Sequence, residues 1–451
     1  MLLQPLTIAR NTMIESLRQP VVLLIVLASG ILQLFNTWNT GYTMGLEQTG
    51  EVKGDDKLLF DLGLATVFVC GTLLAGFIAT AVMSREIENK TVLTIVSKPV
   101  SRVSLILGKF LGVAGSLLLS SVVMILFMLF AIRHGVMSTA ADEIDGPVVT
   151  FVFGAVLLSL AIAAWCNFYY SWSFPQTAVL LMLPLVLIGY ILTLSLSKHW
   201  EWQSLLKDLK PQVTLASATL LLALIVLAAV ATAASTRLNQ VATIVACMLV
   251  FVAAMMSNSI VGSRVFHNTI AGTVGDYVPV DLNTPELATL GTQGKLELAG
   301  PPESPIRVGD SLFVSPTPNG FPMLWAGFDR FTGSLDDANQ MLGPGTPPAV
   351  VVTGVSAKTI TIRHIGGKPL SIVRNPFPGD YVFTKPTEIR LHWMVVWGVV
   401  PNLQFYWLLD AVSQSRPIPP SYLITIFVYT LVQVVFFLSL AVVLFQKRDV
   451  G

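Results

Sequence analysis

The sequence predicts a mainly α-helical, polytopic membrane protein with about eight transmembrane helices, cytoplasmic termini and a β-rich extracytoplasmic insertion. Three observations predict it. Hydrophobic residues make up 53% of the 451 and charged residues only 12%, against about 25% charged in an ordinary soluble domain. Eight separate runs are apolar over about the 20 residues that a bilayer crossing needs. Between the seventh and the eighth, from Gly262 to about Arg390, prolines and glycines become dense and no such run occurs.

The runs lie near residues 20–38, 58–83, 104–132, 147–168, 176–196, 213–234, 240–262 and 421–445. A six- or seven-span alternative makes one of them re-entrant. "NFYYSWSFP" (167–175) and "STRLNQ" (235–240) read as tight turns. Lysine and arginine in short loops set sidedness. With the N-terminus inside, Arg10, Arg18, Arg85, Lys90, Lys98, Arg102, Lys109, Arg237, Lys447 and Arg448 are all cytoplasmic. The short outer loops "EVKGDD" (51–56) and "ADEID" (141–145) are then acidic, while Lys198, Lys207 and Lys210 run against the rule. The first 18 residues carry Arg10, Glu15 and Arg18 without a continuous apolar centre, so no cleavable signal peptide is expected. A net charge of +1 gives no reason to expect nucleic acid. Cys70, Cys166 and Cys247 each sit in an apolar run, without metal-site spacing, and read as small packing residues.

Between the second and third runs the chain interrupts itself with charge. Six mid-membrane charges (Arg85, Glu86, Glu88, Lys90, Lys98 and Arg102) would cost roughly 15–20 kcal/mol, even on the lenient insertion scale. The window therefore lies outside the membrane. Locally it reads as a short helix. Glu86 and Glu88 fall in a first turn, where the dipole favours them. Glu86 and Lys90 are spaced i,i+4, and Pro99 disfavours a helical Lys98. Such a rod is about 18 Å long. Its apolar residues, Ile87, Val92, Leu93, Ile95 and Val96, are too few to hold it in a bilayer but enough to face another protein.

The stretch "SREIENKTVLTIVSKPVSRVSLILGKF" (84–110) resembles the second-to-third-span segment of ABC-2 type transporter permeases. Arg85, Glu86, Glu88, Asn89, Lys90, Thr91, Lys98, Pro99, Arg102, Gly108 and Lys109 carry the likeness, with Asn89-Lys90 where relatives commonly have Asn-Gly. "IARNTMIESLRQP" (8–20) is similar to the family's N-terminal amphipathic helix, its apolar face being Leu3, Leu6, Met13, Ile14 and Leu17. The C-terminal "YTLVQVVFFLSLAVVLFQKRDVG" is similar to the family's last span and its close at Phe445, Lys447, Arg448 and Asp449. The resemblance does not cover 263–390.

The resemblance implies that residues 84–99 form a coupling helix docking on a separate ABC ATP-binding subunit, present in two copies. Arg85, Glu86, Ile87, Glu88, Asn89, Lys90, Thr91, Lys98, Pro99 and Arg102 are then the ATPase-coupling residues. It also implies a second permease (homodimer or similar heterodimer), a prokaryotic inner or plasma membrane, and an exporter as the commonest activity. ATP and Mg would be held by the partner ATPase, with no cofactor or metal on this chain. In agreement, no G-x-x-x-x-G-K-[ST] occurs, and "GGKPLS" (366–371) lacks the first glycine at the right spacing. No catalytic residues are expected.

Five runs in the insertion are β-prone: "KLELAG" (295–300), "SLFVSP" (311–316), "AVVVTGV" (349–355), "KTITIRHI" (358–365) and "PLSIV" (369–373), with Gly366-Gly367 read as a hairpin turn. His267, His364 and His392, with Asp276, Asp281 and Asp310, show no recognised metal spacing. "HWMVVWGVVPNLQFYWLLDAV" (392–412) is aromatic but broken by Gly398 and Pro401. Trp393, Trp397, Pro401, Tyr406 and Trp407 read as an interfacial or re-entrant set, which the resemblance places at the outer end of the pathway. The expected domains are an interfacial helix at 1–19, spans one to seven at 20–262, the β-rich domain at 263–390, the aromatic segment at 391–419, and the last span with a short tail at 420–451.

Two other functions compete with the exporter. An ion-driven secondary transporter usually carries mid-membrane ionisable groups, and here Asp61 and Lys109 lie near helix ends. A non-transporting subunit could instead pass ATPase motion to the insertion, which would act on an extracytoplasmic partner or lipid-linked substrate. Paired carboxylates, a nucleophile motif and metal ligands, which a membrane enzyme would need, are not visible.

Overall fold

The computed structural model of the protein describes residues 3–40, 54–88, 101–137, 143–281, 286–287, 289, 291–318, 328, 330–331, 350–356, 358–365, 374–409, 412 and 418–446. At residues 3, 39, 54–56 and 84–88 it describes the backbone alone. Two compact units emerge: Met1–Met255 with Pro401–Gly451, and Met256–Val400.

The first unit is helical: α1 (Leu3–Leu17), α2 (Pro20–Asn39), α3 (Gly54–Glu88), α4 (Arg102–His134), α5 (Gly146–Tyr170), α6 (Phe174–Leu194), α7 (Pro211–Ser235), α8 (Gln240–Met255) and α9 (Pro420–Gln446). Seven of these, α2 to α7 and α9, are long and apolar enough to cross a membrane among the described residues. An eighth span results if α8 is joined with the helical residues 258–265 that follow it. The seven starts and ends fall close to the expected runs because the sequence punctuates them. Proline opens α2, α5, α6 and α7 at the first turn, where its missing N–H costs nothing. Side chains cap the starts of α4 and α5: Ser101 accepts from the Ser104 N–H, and Asp145 from the Val148 N–H. The α5–α6 turn closes through Ser171 in the left-handed region (φ 54°) and an Asn167 side chain donating to the Trp172 carbonyl.

Helix α4 is the centre of the bundle. It touches α1, α2, α3, α5, α6, α7 and α9, and 78% of its span is buried against 22% for α5. Its first turns carry the closest approach. A Cβ at Gly112 would stand 2.5 Å from the Thr12 Cβ and 2.6 Å from the Ala9 carbonyl, and one at Gly108 would stand 2.7 Å from the Ile8 Cβ. Glycines four residues apart thus let α1 lie directly on α4, the small-residue contact that membrane helices use in place of a hydrophobic drive. This corrects the expected face of α1. Leu6 is 59% exposed, whereas Pro5, Thr12 and Ser16 are buried with Leu17. The seam is small and polar, and Ser16 satisfies its hydroxyl on the Thr12 carbonyl at 2.7 Å.

The second unit is built on β-strands: β1 (Phe266–His267), β2 (Ile270–Pro279), β3 (Gln293–Leu298), β4 (Phe313–Ser315), β5 (Val350–Val355), β6 (Thr359–His364), β7 (Tyr381–Phe383) and β8 (Glu388–Ile389). Six form one antiparallel sheet in the order β4-β7-β2-β3-β6-β5, and β1 pairs with β8. The sheet curls until its two edges meet. Ser311 bridges Val351, the Leu312 N–H donates to Val350 (2.7 Å) and the Val352 N–H to Asp310 (2.9 Å). Closure removes unpaired strand edges. Inside lie Leu296, Leu298, Phe313, Val352, Ile360, Ile362, Val382 and Phe383.

Four expected β runs become β3, β4, β5 and β6. The run 369–373 and the Gly366-Gly367 turn lie outside the described residues. Strand β6 itself is paired with β3 on one side and β5 on the other. The longest strand, β2, was not expected. Gly272 and Gly275 break its alternation, and a bulge shifts its register between Val274 and Asp276. Tyr277 of β2 lays its ring over Gly294 of β3, where a Cβ would meet the ring at 2.2 Å. The aromatic fills the gap that the glycine leaves, and burial pushes its phenol pKa up.

Gly112→Val should force α1 off α4, since the Ala9 carbonyl cannot rotate away as a side chain could. A loss of about 1–3 kcal/mol is expected, read as a lower melting temperature in detergent and faster proteolysis near residue 18. Gly154→Ala, where a Cβ meets nothing within 4 Å, should leave both unchanged.

Candidate functional site

The end of the bundle that carries the charged interruption is built from the ends of α3, α4, α7 and α9. α3 runs without a break through Glu88. Arg85, Glu86, Ile87 and Glu88 therefore continue the second span as its last turn rather than opening a separate rod, as their spacing had predicted. Residues 84–88 contain neither proline nor glycine, so nothing in them interrupts the helix. The side chains of 84–88, and Asn89, Lys90, Thr91, Lys98 and Pro99 altogether, lie outside the described residues. The chain re-enters description at Ser101, and α4 begins at Arg102.

The Arg102 guanidinium donates to the Gln446 carbonyl (3.3 Å), and Arg237 donates to the Leu444 carbonyl (3.0 Å). Two cations thus occupy the carbonyl end of α9, where orphan acceptors and the dipole both favour them. Beneath them Met83, Leu105, Ile106, Ala233, Ala441 and Phe445 form a separate apolar cluster. The two roots of the 84–101 connection, Met83 on α3 and Leu105–Ile106 on α4, are thereby packed against α7 and α9.

The aromatic set divides between the units. Trp393 and Trp397 belong to the second unit, on a helix (Leu391–Val399) with no buried residue. Arg264 stacks over the Trp393 ring at 5.2 Å, and Phe266 meets Trp397 edge-on at 5.5 Å. Pro401, Tyr406 and Trp407 belong to the first unit. There residues 401–409 form an irregular segment buried in the helices. The Asn402 N–H donates to the Tyr429 hydroxyl (2.8 Å), Tyr422 donates to the Phe405 carbonyl (2.9 Å), and Thr219 donates to the Tyr406 carbonyl (3.0 Å). Tyr406 itself is 1% exposed, its hydroxyl 2.8 Å from that of Thr430. Trp407 stacks on Phe68 at 6.4 Å, and Phe68 in turn meets Phe251 of α8.

At the opposite end of α4 lies an ionic knot that sequence reasoning missed. Arg133 contacts Asp145 at 2.6 Å, Asp208 at 2.9 Å and the Leu196 carbonyl at 3.2 Å. Gln203 binds Asp208 and the carbonyls of Leu194 and Leu196. Asp145 is fully buried and also caps α5. One guanidinium thus ties α4, α5 and the 195–210 loop. The available signal was an arginine directly after the longest apolar run. Beside the knot opens a cavity of about 300 Å³, lined among others by Arg133, His134, Tyr190, Lys198, Lys207 and Lys210. An apolar cleft of about 130 Å³ lies between α2, α4 and α5, along Gly30, Phe127, Phe130 and Val152. His267, His364 and His392 do not converge, and no metal-holding group of His, Cys, Asp and Glu occurs among the described residues.

Residues 6–166 match the family model described as ABC-2 family transporter protein. The match runs from Leu6 in α1 to Cys166 in α5, includes residues 84–101, and stops before the insertion. Among curated proteins and solved structures, none matches the chain.

Arg133→Gln strands a buried carboxylate and should cost about 3–5 kcal/mol, seen as a large drop in melting temperature. Arg264→Gln removes an exposed cation–π contact and should cost about 0.5–1 kcal/mol.

Proposed function

The chain is a multi-pass membrane protein of the ABC-2 transporter family, and from that premise we propose that it is the permease subunit of an ATP-driven exporter. Membrane proteins of this family lack an ATPase domain and work with a separate ATPase. Two copies of that ATP-binding subunit would engage residues 84–101 of two permeases, this chain with a second copy or with a similar one. ATP and Mg would stay on the partner.

One observation carries the reading. Both roots of the 84–101 connection sit in the apolar cluster with Ala233, Ala441 and Phe445, and Arg102 from its far side holds the end of α9. A push on the connection is therefore delivered to α7 and the last span together, not absorbed by a loose loop. ATP acts as a ligand that favours one of two arrangements of the assembly, and can shift the permease only as far as it binds them differently. With the connection cytoplasmic in a prokaryotic cell membrane, the second unit is extracytoplasmic. The 401–409 segment, packed on α3, α7, α8 and α9, closes the outer end of the helices.

A second reading is favoured by the second unit's own core and closed sheet. A compact body of this kind is suited to receive motion, so that the subunit would act on an extracytoplasmic partner or lipid-linked substrate without transporting.

Glu86→Lys combined with Ile87→Asp should abolish co-purification with the ATPase subunit and its stimulation, while the melting temperature of the isolated permease stays unchanged. Undiminished pull-down and stimulation would remove the coupling assignment. Deleting 263–390 separates the two readings: export that survives supports the exporter, and loss of the cellular phenotype with ATPase coupling intact supports the mechanical subunit.

A further inference from the structure

We propose that the cavity beside Arg133 is a binding site for the phosphate headgroup of an anionic phospholipid in the adjoining leaflet. The proposal is independent of the coupling assignment, because the site lies at the opposite end of α4.

The cavity is bounded by the last turn of α4, by Tyr190 of α6, by the 195–210 loop and by Val213 in the first turn of α7. Its charge is unbalanced toward positive. Arg133 is already occupied by Asp145 and Asp208, and Lys198, Lys207 and Lys210 also line the walls. Among the described residues neither Lys198 nor Lys207 is paired with a carboxylate. Lys210 immediately precedes the 25-residue α7, whose N–H groups and dipole add to the attraction for an anion. His134, 8% exposed, lines the same space and is held by a contact to the Gly135 carbonyl at 3.2 Å. A volume of about 300 Å³ lies at the small end of ligand sites. It suits a headgroup better than a whole amphiphile.

The same loop says where the anion comes from. Trp202 is 80% exposed and Leu206 76%, with Trp200 and Leu205 also open. Apolar side chains on a loop that joins two spans belong at the boundary of headgroups and acyl chains. Lysines interleaved with them reach phosphates from that depth. A soluble phosphate would need the lysines but not the tryptophan and leucines. The arrangement also accounts for three lysines on a loop that the sidedness rule would keep free of them.

The test uses the purified full chain in detergent, titrated with short-chain phosphatidylglycerol, phosphatidylcholine or inorganic phosphate, and followed by native mass spectrometry and melting temperature. Phosphatidylglycerol should bind and stabilise in preference to phosphatidylcholine. Lys198→Gln with Lys207→Gln should weaken that binding at least about tenfold. Lys295→Gln with Lys358→Gln, exposed in the second unit, should not. Trp202→Ser with Leu206→Ser should weaken phosphatidylglycerol binding while leaving every lysine in place. Equal binding of the two lipids, or indifference to both the lysine and the apolar variants, overturns the proposal. Stabilisation by inorganic phosphate but not by phosphatidylglycerol overturns the lipid as occupant.

Discussion

Away from water, every backbone N–H and C=O must find its partner inside the protein, and that constraint organises what is not plain helix here. The last carbonyls of α9 are met by Arg102 and Arg237. The irregular 401–409 segment is met by Tyr422 and Tyr429 of α9 and by Thr219 of α7. The carbonyls of Leu194 and Leu196, where α6 has ended, are met by Gln203 and Arg133. The sheet meets the same demand by closing on itself. At the helix ends and in the 401–409 segment polar side chains secure neighbouring backbone, so satisfaction and tertiary fastening are the same act.

α3 and α4 are longer than spanning requires. With 35 and 33 residues they run about 50 Å each, against about 30 Å of hydrocarbon. The surplus lies largely at the connected end, because residues 84–88 still belong to α3 and the charges of the interruption cannot enter lipid. The segment between them is thus rooted at both ends on long helices. The glycine seam packs α1 against α4 at the same end.

The span positions were legible in the sequence because lipid imposes length and polarity together, and because Pro20, Pro147, Pro175 and Pro211 mark four starts. The residues proposed for coupling stand out in the sequence as a pattern of charge and through the family resemblance. Other features were hidden for identifiable reasons. The seam of α1 hid because small residues such as Ala9 and Thr12 carry no hydrophobic periodicity. β2 hid because Gly272 and Gly275 interrupt the period of two that marks a strand. The Arg133 knot hid because Asp145 and Asp208 are 12 and 75 positions away, each looking like an ordinary loop acid. Tyr406 looked like an interfacial aromatic, and only the three-dimensional arrangement puts its hydroxyl against Thr430.

What the helices lack in polarity bears on where a cargo could pass. The buried hydroxyls of the spans mostly bond within their own helix: Ser116 to Gly112, Thr72 to Phe68, Ser159 to Ala155. Hydroxyls used in this way cannot replace water around a hydrophilic solute. Among the described residues of the helical unit the buried charged side chains are Lys109 and Asp145, which sit toward opposite ends of the bundle and so cannot form a relay. No chain of buried charges crosses the interior of one copy among the described residues. The peripheral helices α2, α5 and α9 instead keep most of their apolar surface outward. Such surfaces are served equally by lipid and by a second permease. A path formed between two copies and lined by these helices would need no buried charge. Walls of this kind are compatible with an amphiphilic or hydrophobic molecule.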